Sequence, residues 1–304
     1  MILITEATQN FGRALIDFLL NNDVPLSRIA ALVINKKKGM DLLSKGITLR
    51  IGDYDDYSSL VEAFYRVDQL VLVSGNDLQD RAKQHFNAVN AAKEAGVNHI
   101  LYTSVERRNE NGGSPVDFLS QSHIYTEKII KESGISYTIF RNNLFMDMLP
   151  VFLGEEVVET GVYFPAEEGK TAYTLGADVA ETVANVLAGD GHENKEYYIS
   201  NAENISFRDI AEMLRELSGE AVMYNSPDTE TYINTMVTAG VSKEDAIFFA
   251  HIGEAIKQGE FYSTRSDLES LLGRRPASLK AYLKKTFFSK KYSEIARLNG
   301  GQIA

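Results

Sequence analysis

The chain has 304 residues, 44% of them hydrophobic, and a formal net charge of −11 at pH 7. This length suffices for one large α/β domain or for a core domain that carries a smaller lobe. The negative charge disfavours a nucleic-acid partner, because phosphate contacts need clustered Lys and Arg, and the absence of cysteine excludes disulfides, thiolate metal ligands and a cysteine nucleophile.

The first half of the chain alternates short apolar runs with helical periodicity. Strands are predicted at 2–4, 28–34, 47–51, 69–73, 98–102 and 136–140. Helices are predicted directly after the first strand, at 80–95 before Gly96 and at 121–133 before Gly134. The first of these helices has one apolar face, formed by Phe11, Leu15, Phe18 and Leu19. Such repeated βαβ units predict a parallel, doubly wound sheet.

After Asn143 the pattern becomes irregular, with Gly and Pro between short segments. Further helices are predicted at about 177–187, from a capping box at Ser206 and Asp209 to about 217, and at 229–239, 243–257 and 278–287. They predict a smaller, mainly helical C-terminal lobe. We expect a first domain over 1–150 to which the chain returns near 172–200, a lobe over 151–288, and a marginal helical tail over 289–304.

The chain begins within the first strand, without a basic segment followed by a cleavable apolar run. No apolar stretch approaches the roughly 18 residues that a membrane-spanning helix needs. We therefore expect a cytoplasmic protein with no membrane partner.

The first turn carries the clearest functional signal. The strand at 2–4 runs through Thr5-Glu6-Ala7-Thr8-Gln9-Asn10-Phe11-Gly12 into the first helix, which is where a dinucleotide-binding fold holds a pyrophosphate at helix N-terminal amides. The turn resembles the T-G-A-T-G-x-x-G turn of short-chain dehydrogenase/reductase relatives, with Glu6 and Gln9 at the first two glycine positions. A carboxylate about 5 Å from a phosphate charge costs about 3 kcal/mol at an effective dielectric near 20, or about a hundredfold in affinity.

Several later motifs extend this likeness. They are Gly46-Ile47-Thr48 with Gly52-Asp53-Tyr54, Asn90-Ala91-Ala92-Lys93-Glu94-Ala95-Gly96-Val97, Tyr102-Thr103-Ser104, His123 with Thr126-Glu127-Lys128, Ser133-Gly134-Ile135-Ser136-Tyr137-Thr138, and Arg141-Asn142. In this order and spacing, over roughly residues 1 to 288, the chain resembles the NmrA-like branch of atypical short-chain dehydrogenases. Within that branch it is most similar to bacterial NAD(P)H:quinone oxidoreductases and triphenylmethane reductases.

The resemblance implies a Rossmann-like domain that binds NADPH or NADH, and hydride transfer to a quinone or a similar planar acceptor. It assigns cofactor binding to Thr5, Glu6, Ala7, Thr8, Gln9, Asn10, Phe11, Gly12, Asn35, Lys36, Lys37, Asp53, Tyr54, Ser74, Gly75, Tyr102, Lys128 and Asn142. Gly12 would give close packing of the helix on the sheet. A homodimer is a further expectation.

Two parts of this assignment have an alternative role. Ile34-Asn35 stands where the family has an Arg-Asn pair for the adenosine 2′-phosphate, so Lys36 and Lys37 either replace the arginine as point charges or form a solvated basic loop. Asp53 matches the adenine region of the family, and its alternative role is that of a helix cap or turn residue.

The family resemblance also supplies the catalytic candidates. Ser104 and Lys128 match the serine and the lysine of the Tyr-x-x-x-Lys motif, but Ile124 replaces the tyrosine, and Tyr125 lies about 100° away around the helix. This disfavours an ordinary alcohol dehydrogenase mechanism, whereas quinone reduction needs mainly a common orientation of cofactor and acceptor. We predict that Lys128 lies near the nicotinamide ribose and that His123 is a candidate proton donor, with packing as the alternative role of His123.

The acceptor site is predicted after the sixth strand. Asn142 and Asn143 lie where the family shapes the nicotinamide and substrate cleft, and Phe145 and Met148 are predicted to line it, with turn and core roles as alternatives. Aromatic residues of the helical lobe also suit a flat acceptor; these are Tyr232, Phe248, Phe249, Phe261 and Tyr262. The histidine spacing gives no metal site.

A competing hypothesis is a non-catalytic NmrA-like protein that senses a nucleotide or binds a protein partner. It is motivated by four departures from the enzymatic patterns, at Glu6, Gln9, Ile34 and Ile124. Turnover of quinones separates the two hypotheses.

Overall fold

The protein is described here by a computed structural model that covers residues 1–75 and 77–289. Its main sheet has seven strands, all paired in parallel. They are β1 (Ile2–Ile4), β2 (Ile29–Val33), β3 (Thr48–Ile51), β4 (Gln69–Leu72), β5 (His99–Val105), β6 (Ser136–Asn142) and β7 (Lys195–Ile199). The predicted parallel, doubly wound sheet is therefore confirmed.

The helices predicted up to residue 287 are present, and the described part of the chain adds five that were not predicted. Together they are α1 (Asn10–Asn21), α2 (Met40–Ser44), α3 (Tyr57–Phe64), α4 (Arg81–Glu94), α5 (Asp117–Ser133), α6 (Leu149–Leu153), α7 (Val157–Thr160), α8 (Gly176–Ala188), α9 (Phe207–Ser218), α10 (Thr229–Thr238), α11 (Lys243–Lys257), α12 (Leu268–Leu272) and α13 (Leu279–Phe288). The five that were not predicted are α2, α3, α6, α7 and α12. Gly134 ends α5 in a left-handed conformation with φ 81°, as a helix C-terminus favours. None of the helices in the described ranges is long and apolar enough to cross a membrane.

The strand order places a crevice at one end of the sheet. The order is β3-β2-β1-β4-β5-β6-β7, so successive connections run in opposite directions on either side of β1 and β4. In parallel sheets this reversal opens a crevice at the carboxyl ends of the strands, where ligands bind. The loops after β1 and β4 therefore border the natural site of the fold.

Two apolar layers cover the sheet. On one face, Leu15 of α1 and Val183 of α8 are buried with Ile4 of β1. On the other face, Phe64 of α3 and Ile130 of α5 belong to a second buried cluster. The strands are apolar on both faces because helices cover both.

The second half of the chain builds a core of its own and also contributes to the main sheet. In this separate core, the Phe164 and Phe207 rings stack with centroids 4.3 Å apart. The predicted capping box is present, since Ser206 Oγ accepts from the Asp209 amide and Asp209 Oδ2 from the Ser206 amide. Within the predicted return segment, α8 packs on the sheet and β7 pairs with β6. The domain bounds stay a prediction, and the predicted tail from residue 290 onward lies outside the described residues.

Candidate functional site

A largely apolar cleft of about 460 Å³ lies at the carboxyl ends of β1, β4, β5 and β6. It brings together many of the residues that the sequence singled out: Glu6, Gln9, Phe11, Ser74, Gly75, Ser104, His123, Asn142, Asn143, Phe145 and Met148. The volume lies in the range of small-molecule sites. The cleft thus joins the predicted cofactor loop to the predicted acceptor site.

The loop after β1 is fixed by a buried threonine and a close helix. Thr5 is fully buried, and its Oγ1 accepts a 2.9 Å hydrogen bond from the Val73 amide at the end of β4. A Cβ placed on Gly12 would lie 2.5 Å from the Glu6 carbonyl oxygen and 2.6 Å from Ala7 Cα. Gly12 therefore allows α1 to approach the loop backbone, which is the close packing expected of the third glycine in this turn.

Glu6 keeps the glycine-like backbone of the turn although it has a side chain. Its φ is 49°, in the left-handed region that costs a non-glycine residue roughly 1–2 kcal/mol. The carboxylate lines the cleft, and its Oε1 is 3.8 Å from the position that a Cβ would take on Gly75. Burial raises the pKa of Glu6, while the Lys38 ammonium acts in the opposite direction. The loop therefore retains its shape but carries an acidic group where a glycine is usual.

The N-terminus of α1 is free of side-chain capping. Gln9 is the N-cap residue and its side chain makes no capping hydrogen bond. The Arg13 amide donates to the Gln9 carbonyl oxygen at 3.0 Å, so the amides left for another acceptor are those of residues 10–12. The Arg13 Nε donates to the Thr8 carbonyl oxygen at 2.8 Å, and its guanidinium pairs with Asp41. This end of the cleft offers the amides and dipole that bind an anion.

The basic segment after β2 and the turn after β3 do not belong to the lining of the cleft. Asn35 Oδ1 accepts from the Lys38 amide at 3.1 Å and thereby caps a short 3₁₀ helix in which Lys36 and Lys37 are exposed. Asp53 Oδ1 accepts from the Asp55 amide at 3.0 Å, which is a turn role.

Tyr54 and Tyr102, both predicted to bind the cofactor, are also absent from the lining of the cleft. Tyr54 is partly exposed, and its carbonyl oxygen accepts from Asn87 Nδ2 at 2.8 Å. Tyr102 is fully buried beneath the cleft. Cofactor contacts of both residues stay predictions.

Ser104 is held by a buried charged cluster. Its Oγ donates to Glu127 Oε1 at 2.5 Å, and Glu127 also accepts 2.7 Å hydrogen bonds from Arg107 and Arg141. Burial opposes ionisation of Glu127, but the two guanidiniums hold its pKa at about 2. Ser104 lines the cleft with a hydroxyl whose proton is already donated to a carboxylate.

The structure does not bring Lys128 to the cleft. Its side chain is 67% exposed, and its ammonium lies 3.9 Å from Glu132 on the outer face of α5. The inward face of α5 carries His123 and Glu127, and residue 128 is five positions after His123, about 140° away around the helix. The predicted role of Lys128 at a nicotinamide ribose does not fit this placement.

His123 lies in a buried hydrogen-bond chain that determines its protonation. Its Nε2 is 3.2 Å from Arg81 Nη1, and its Nδ1 is 2.7 Å from the Tyr102 hydroxyl. Since a guanidinium only donates, Nε2 accepts and the ring proton is assigned to Nδ1. Burial, together with the Arg81 charge, lowers the pKa of His123 far below its usual value. The ring is therefore neutral, and Nε2 has no proton to give, so the predicted role as proton donor does not fit.

The residues after β6 form the acceptor end of the cleft. Asn142 is buried, and its Oδ1 has no hydrogen-bond partner in the described part of the chain. Asn143 Nδ2 donates to Glu106 Oε2 at 2.8 Å and to the Phe261 carbonyl oxygen at 3.1 Å. An orphaned buried acceptor is rare in folded proteins. Asn142 thus offers a place for a donor group of a ligand.

The aromatic residues of the helical lobe lie in three different places. Phe248 lines the cleft, while Tyr232, Phe249 and Phe261 are buried in the second core. Tyr262 is 49% exposed and lines a separate polar cavity. Only part of the predicted aromatic surface therefore reaches the acceptor site.

The cleft also contains residues that the sequence reading missed, among them Leu78, Arg81, Leu119 and Ile252. Ile252 follows Phe248 by four positions on a predicted helix, so helical spacing was a usable signal. Arg81 had a weaker signal, its place at the start of the helix after the fourth strand. In residues 1–75 and 77–289, no three or more His, Asp or Glu side chains are grouped to hold a metal ion.

Comparisons with known proteins agree with this geometry. The NmrA-like family matches residues 1–284. Quinone oxidoreductase 2 of Escherichia coli K12 is 33% identical over 280 residues, which span 92% of this chain and 96% of the relative.

Two solved structures share the whole architecture. The Citrobacter sp. triphenylmethane reductase complexed with NADP(H) has a TM-score of 0.86 and 35% identity, covering 94% of this chain and 99% of that one. The NADPH-dependent quinone oxidoreductase of Escherichia coli complexed with NADPH has a TM-score of 0.86 and 32% identity, covering 94% and 100%. Both relatives were solved with the same class of cofactor.

Proposed function

The chain belongs to the NmrA-like family, and from that premise we propose that it is an NADPH-dependent oxidoreductase that transfers a hydride to a quinone or a similar planar acceptor. Relatives that act in this way cover nearly the whole chain. The observation that carries the proposal is the single cleft in which the loop after β1 meets the carboxyl ends of β4, β5 and β6 and apolar side chains of α11.

The residues present fit NADPH. Gly12 permits the close approach of α1 to the loop, and the uncapped amides of α1 suit a pyrophosphate. The exposed ammonium groups of Lys36 and Lys37 suit a 2′-phosphate as point charges. The unpartnered Asn142 Oδ1 would accept from the carboxamide or a ribose hydroxyl of a bound nicotinamide ribose.

When bound, NADPH supplies a hydride, and the chain's own residues do the rest by placement. Phe145, Met148, Phe248 and Ile252 form apolar walls against which a flat acceptor packs and from which it excludes water. Ser104 and His123 are fixed by Glu127 and Arg81, so they present rigid surfaces. Neither carries a proton free for transfer to the product. The proton of the reduced acceptor therefore comes from water, and catalysis rests on orientation.

The first experiment is a titration of NADPH into the purified chain, followed by a screen of quinones of increasing ring size. Micromolar NADPH binding and steady NADPH oxidation with a quinone support the proposal. Bound NADPH without oxidation by any planar acceptor would contradict the enzymatic part of it.

One observation favours the competing role of a non-catalytic nucleotide sensor or protein-binding regulator. Glu6 places a carboxylate in the cofactor loop, where it repels the phosphates. The same titration with the Glu6→Gly/Gln9→Gly variant separates the two functions. Binding by the variant but not by the native chain would assign the non-catalytic role. A homodimer and a cytoplasmic location stay predictions, to be tested by light scattering and by fractionation.

A further inference from the structure

Arg81 is the buried cation of the cleft, and it has only neutral hydrogen-bond partners. The residue is 5% exposed and lies at the start of α4. Its Nε and Nη2 donate to the Gly75 carbonyl oxygen at 2.9 and 2.6 Å, and its Nη1 to His123 Nε2 at 3.2 Å and Ser122 Oγ at 3.4 Å. One N–H of Nη2 remains beyond these bonds, since a guanidinium has five donors.

A buried charge without a counter-charge is costly. An isolated ion loses several kcal/mol of hydration in a protein interior, which an ion pair normally offsets. Arg107 and Arg141 follow this rule, since both pair with Glu127. Arg81 forms no ion pair with the described carboxylates, and Asp77 and the Tyr102 phenol act on it only electrostatically.

The surroundings of Arg81 fix it in this position. His123 cannot share its charge, because its ring is neutral and accepts through Nε2. The Gly75 carbonyl oxygen holds two nitrogens of the guanidinium from the side of the β4 loop. Glu6 lines the same cleft and approaches Gly75, but it makes no hydrogen bond to Arg81. The described residues thus place no counter-charge within ion-pair distance of Arg81, and a ligand in the cleft is left to supply one.

Resting on the proposed function, we propose that Arg81 receives the negative charge that reduction places on the acceptor, so that the cleft selects acceptors that become oxyanions. The acceptor class is then neutral quinones and anionic hydroxyquinones. Cationic dyes, which lose their charge on reduction, are disfavoured beside this guanidinium.

The chemistry balances with water as the only further reactant. A neutral quinone gains a hydride, that is, one hydrogen with two electrons, while NADPH is oxidised to NADP⁺. The quinone becomes a hydroquinone monoanion, which takes one proton from water to give the hydroquinone. A fixed cation beside the developing oxyanion stabilises the transition state more than the neutral ground state.

The first test measures binding rather than turnover. It compares 2-hydroxy-1,4-naphthoquinone, an anion at neutral pH, with neutral 1,4-naphthoquinone by calorimetric titration into the native chain, with and without NADP⁺. We expect the anion to bind at least tenfold more tightly. In Arg81→Gln the preference disappears, and in Arg81→Lys most of it remains. Loss of affinity for both quinones alike in Arg81→Gln, or equal affinities in the native chain, would overturn the proposal.

The second test measures turnover of 1,4-naphthoquinone. We expect kcat of Arg81→Gln to fall about a hundredfold, as when one oxyanion donor is removed, with NADPH affinity unchanged. The matched control is Arg208→Gln, which changes an exposed arginine that pairs with Glu168 and does not line the cleft, and it should keep native kcat. A native kcat in a folded Arg81→Gln, judged by its melting temperature, would also contradict the role.

The native chain keeps the proposal testable if Arg81→Gln does not fold. Its preference for the anionic quinone, and its rate with a neutral quinone against a cationic triarylmethane dye, need no variant. Failure of the proposed function would show as no quinone turnover at all. Failure of the Arg81 role alone would show as turnover without preference for anion-forming acceptors.

Discussion

Glu6 and Glu127 are two carboxylates at the same end of the sheet with opposite surroundings. Glu127 is 4% exposed as a side chain and lies between Arg107 and Arg141, which hold its pKa at about 2. Glu6 sits on a left-handed backbone, lines the cleft, and has its pKa raised by burial with only Lys38 acting against this.

This difference indicates that Glu127 stabilises the fold, whereas Glu6 belongs to the ligand-binding cleft. The Glu127 carboxylate accepts from the same two arginines and from Ser104, so it joins α5 to β5 and β6 and is not available to a ligand. A carboxylate left unpaired in a cleft stays sensitive to whatever binds there. Two cations show the same difference, since Arg107 is paired with Glu127 and Arg81 in the cleft has no ion pair with a described carboxylate.

The largest effect is expected when the ion pairs of Glu127 are removed. Glu127→Gln removes the buried counter-charge of its two arginine partners and leaves them only the more exposed Glu110 and Glu196, so the free energy of unfolding should fall by about 3–5 kcal/mol. Urea unfolding measures it. The control Glu168→Gln removes a carboxylate from an exposed pair and should change stability by less than about 1 kcal/mol. Similar losses in both variants would contradict the scaffold role of Glu127.

Acid should weaken the same cluster. The folded pKa of Glu127 is about 2, against an ordinary 4.5, so its contribution is present above pH 4.5 and is lost as the pH falls towards 2. The shift corresponds to about 3 kcal/mol. Unfolding free energies measured between pH 5 and 2 should fall for the native chain and less steeply for Glu127→Gln. If the unfolding free energies of both proteins fell equally with pH, carboxylates other than Glu127 would determine the loss of stability in acid.

Glu6→Gln tests the effect of the unpaired carboxylate in the cleft. The direct repulsion of about 3 kcal/mol at 5 Å is reduced by water and salt, so NADPH affinity should rise by about tenfold. Glu6→Gly should show the same gain and, in addition, be about 1 kcal/mol more stable than Glu6→Gln, because it relieves the left-handed backbone. Calorimetry and urea unfolding give the two quantities. An unchanged dissociation constant in Glu6→Gln would mean that the carboxylate turns away from the phosphates.

The affinity of the native chain should also depend on pH with a definite sign. Burial raises the pKa of Glu6, so protonation removes its charge as the pH falls through that raised value, and NADPH then binds more tightly. Glu6→Gln should lack this rise. A rise of the same size in both proteins would assign it to another group.

The smallest expected effect concerns Lys128. Its ammonium is exposed and lies near Glu132, in a pair of the kind worth less than about 1 kcal/mol. Lys128→Gln should change NADPH affinity and KM for a quinone by less than twofold. A tenfold rise in the dissociation constant would restore Lys128 to the cofactor site.

The fold was predictable because its signals are local. Apolar runs gave the first six strands, and glycines such as Gly134 marked helix ends that the structure confirms. The strand at 195–199 was missed, since it lies at the sheet edge and its sequence Lys-Glu-Tyr-Tyr-Ile begins with two charged residues, so it forms no continuous apolar run.

The site was only partly predictable because its chemistry depends on distant partners. Glu127 meets Arg107 and Arg141 across 20 and 14 positions, and no local pattern announces such a cluster. Lys128 was assigned from a motif alone, and its exposure on the outer face of α5 depends on which side of that helix packs on the sheet. Arg81 carries no motif, and its unpaired state is visible only when the packed partners are known.

One buried contact also joins the two halves of the chain. Glu106, on the loop after β5, accepts hydrogen bonds from Asn143 beside the sheet and from Ser263 of the second half of the chain. A hinge motion that separated the halves would take Ser263 away from the buried Glu106 and leave it only the Asn143 donor, which opposes such a motion. A cleft of fixed width favours thin, flat ligands over thicker ones. Such ligands also bind without the entropy loss of ordering a closing lid.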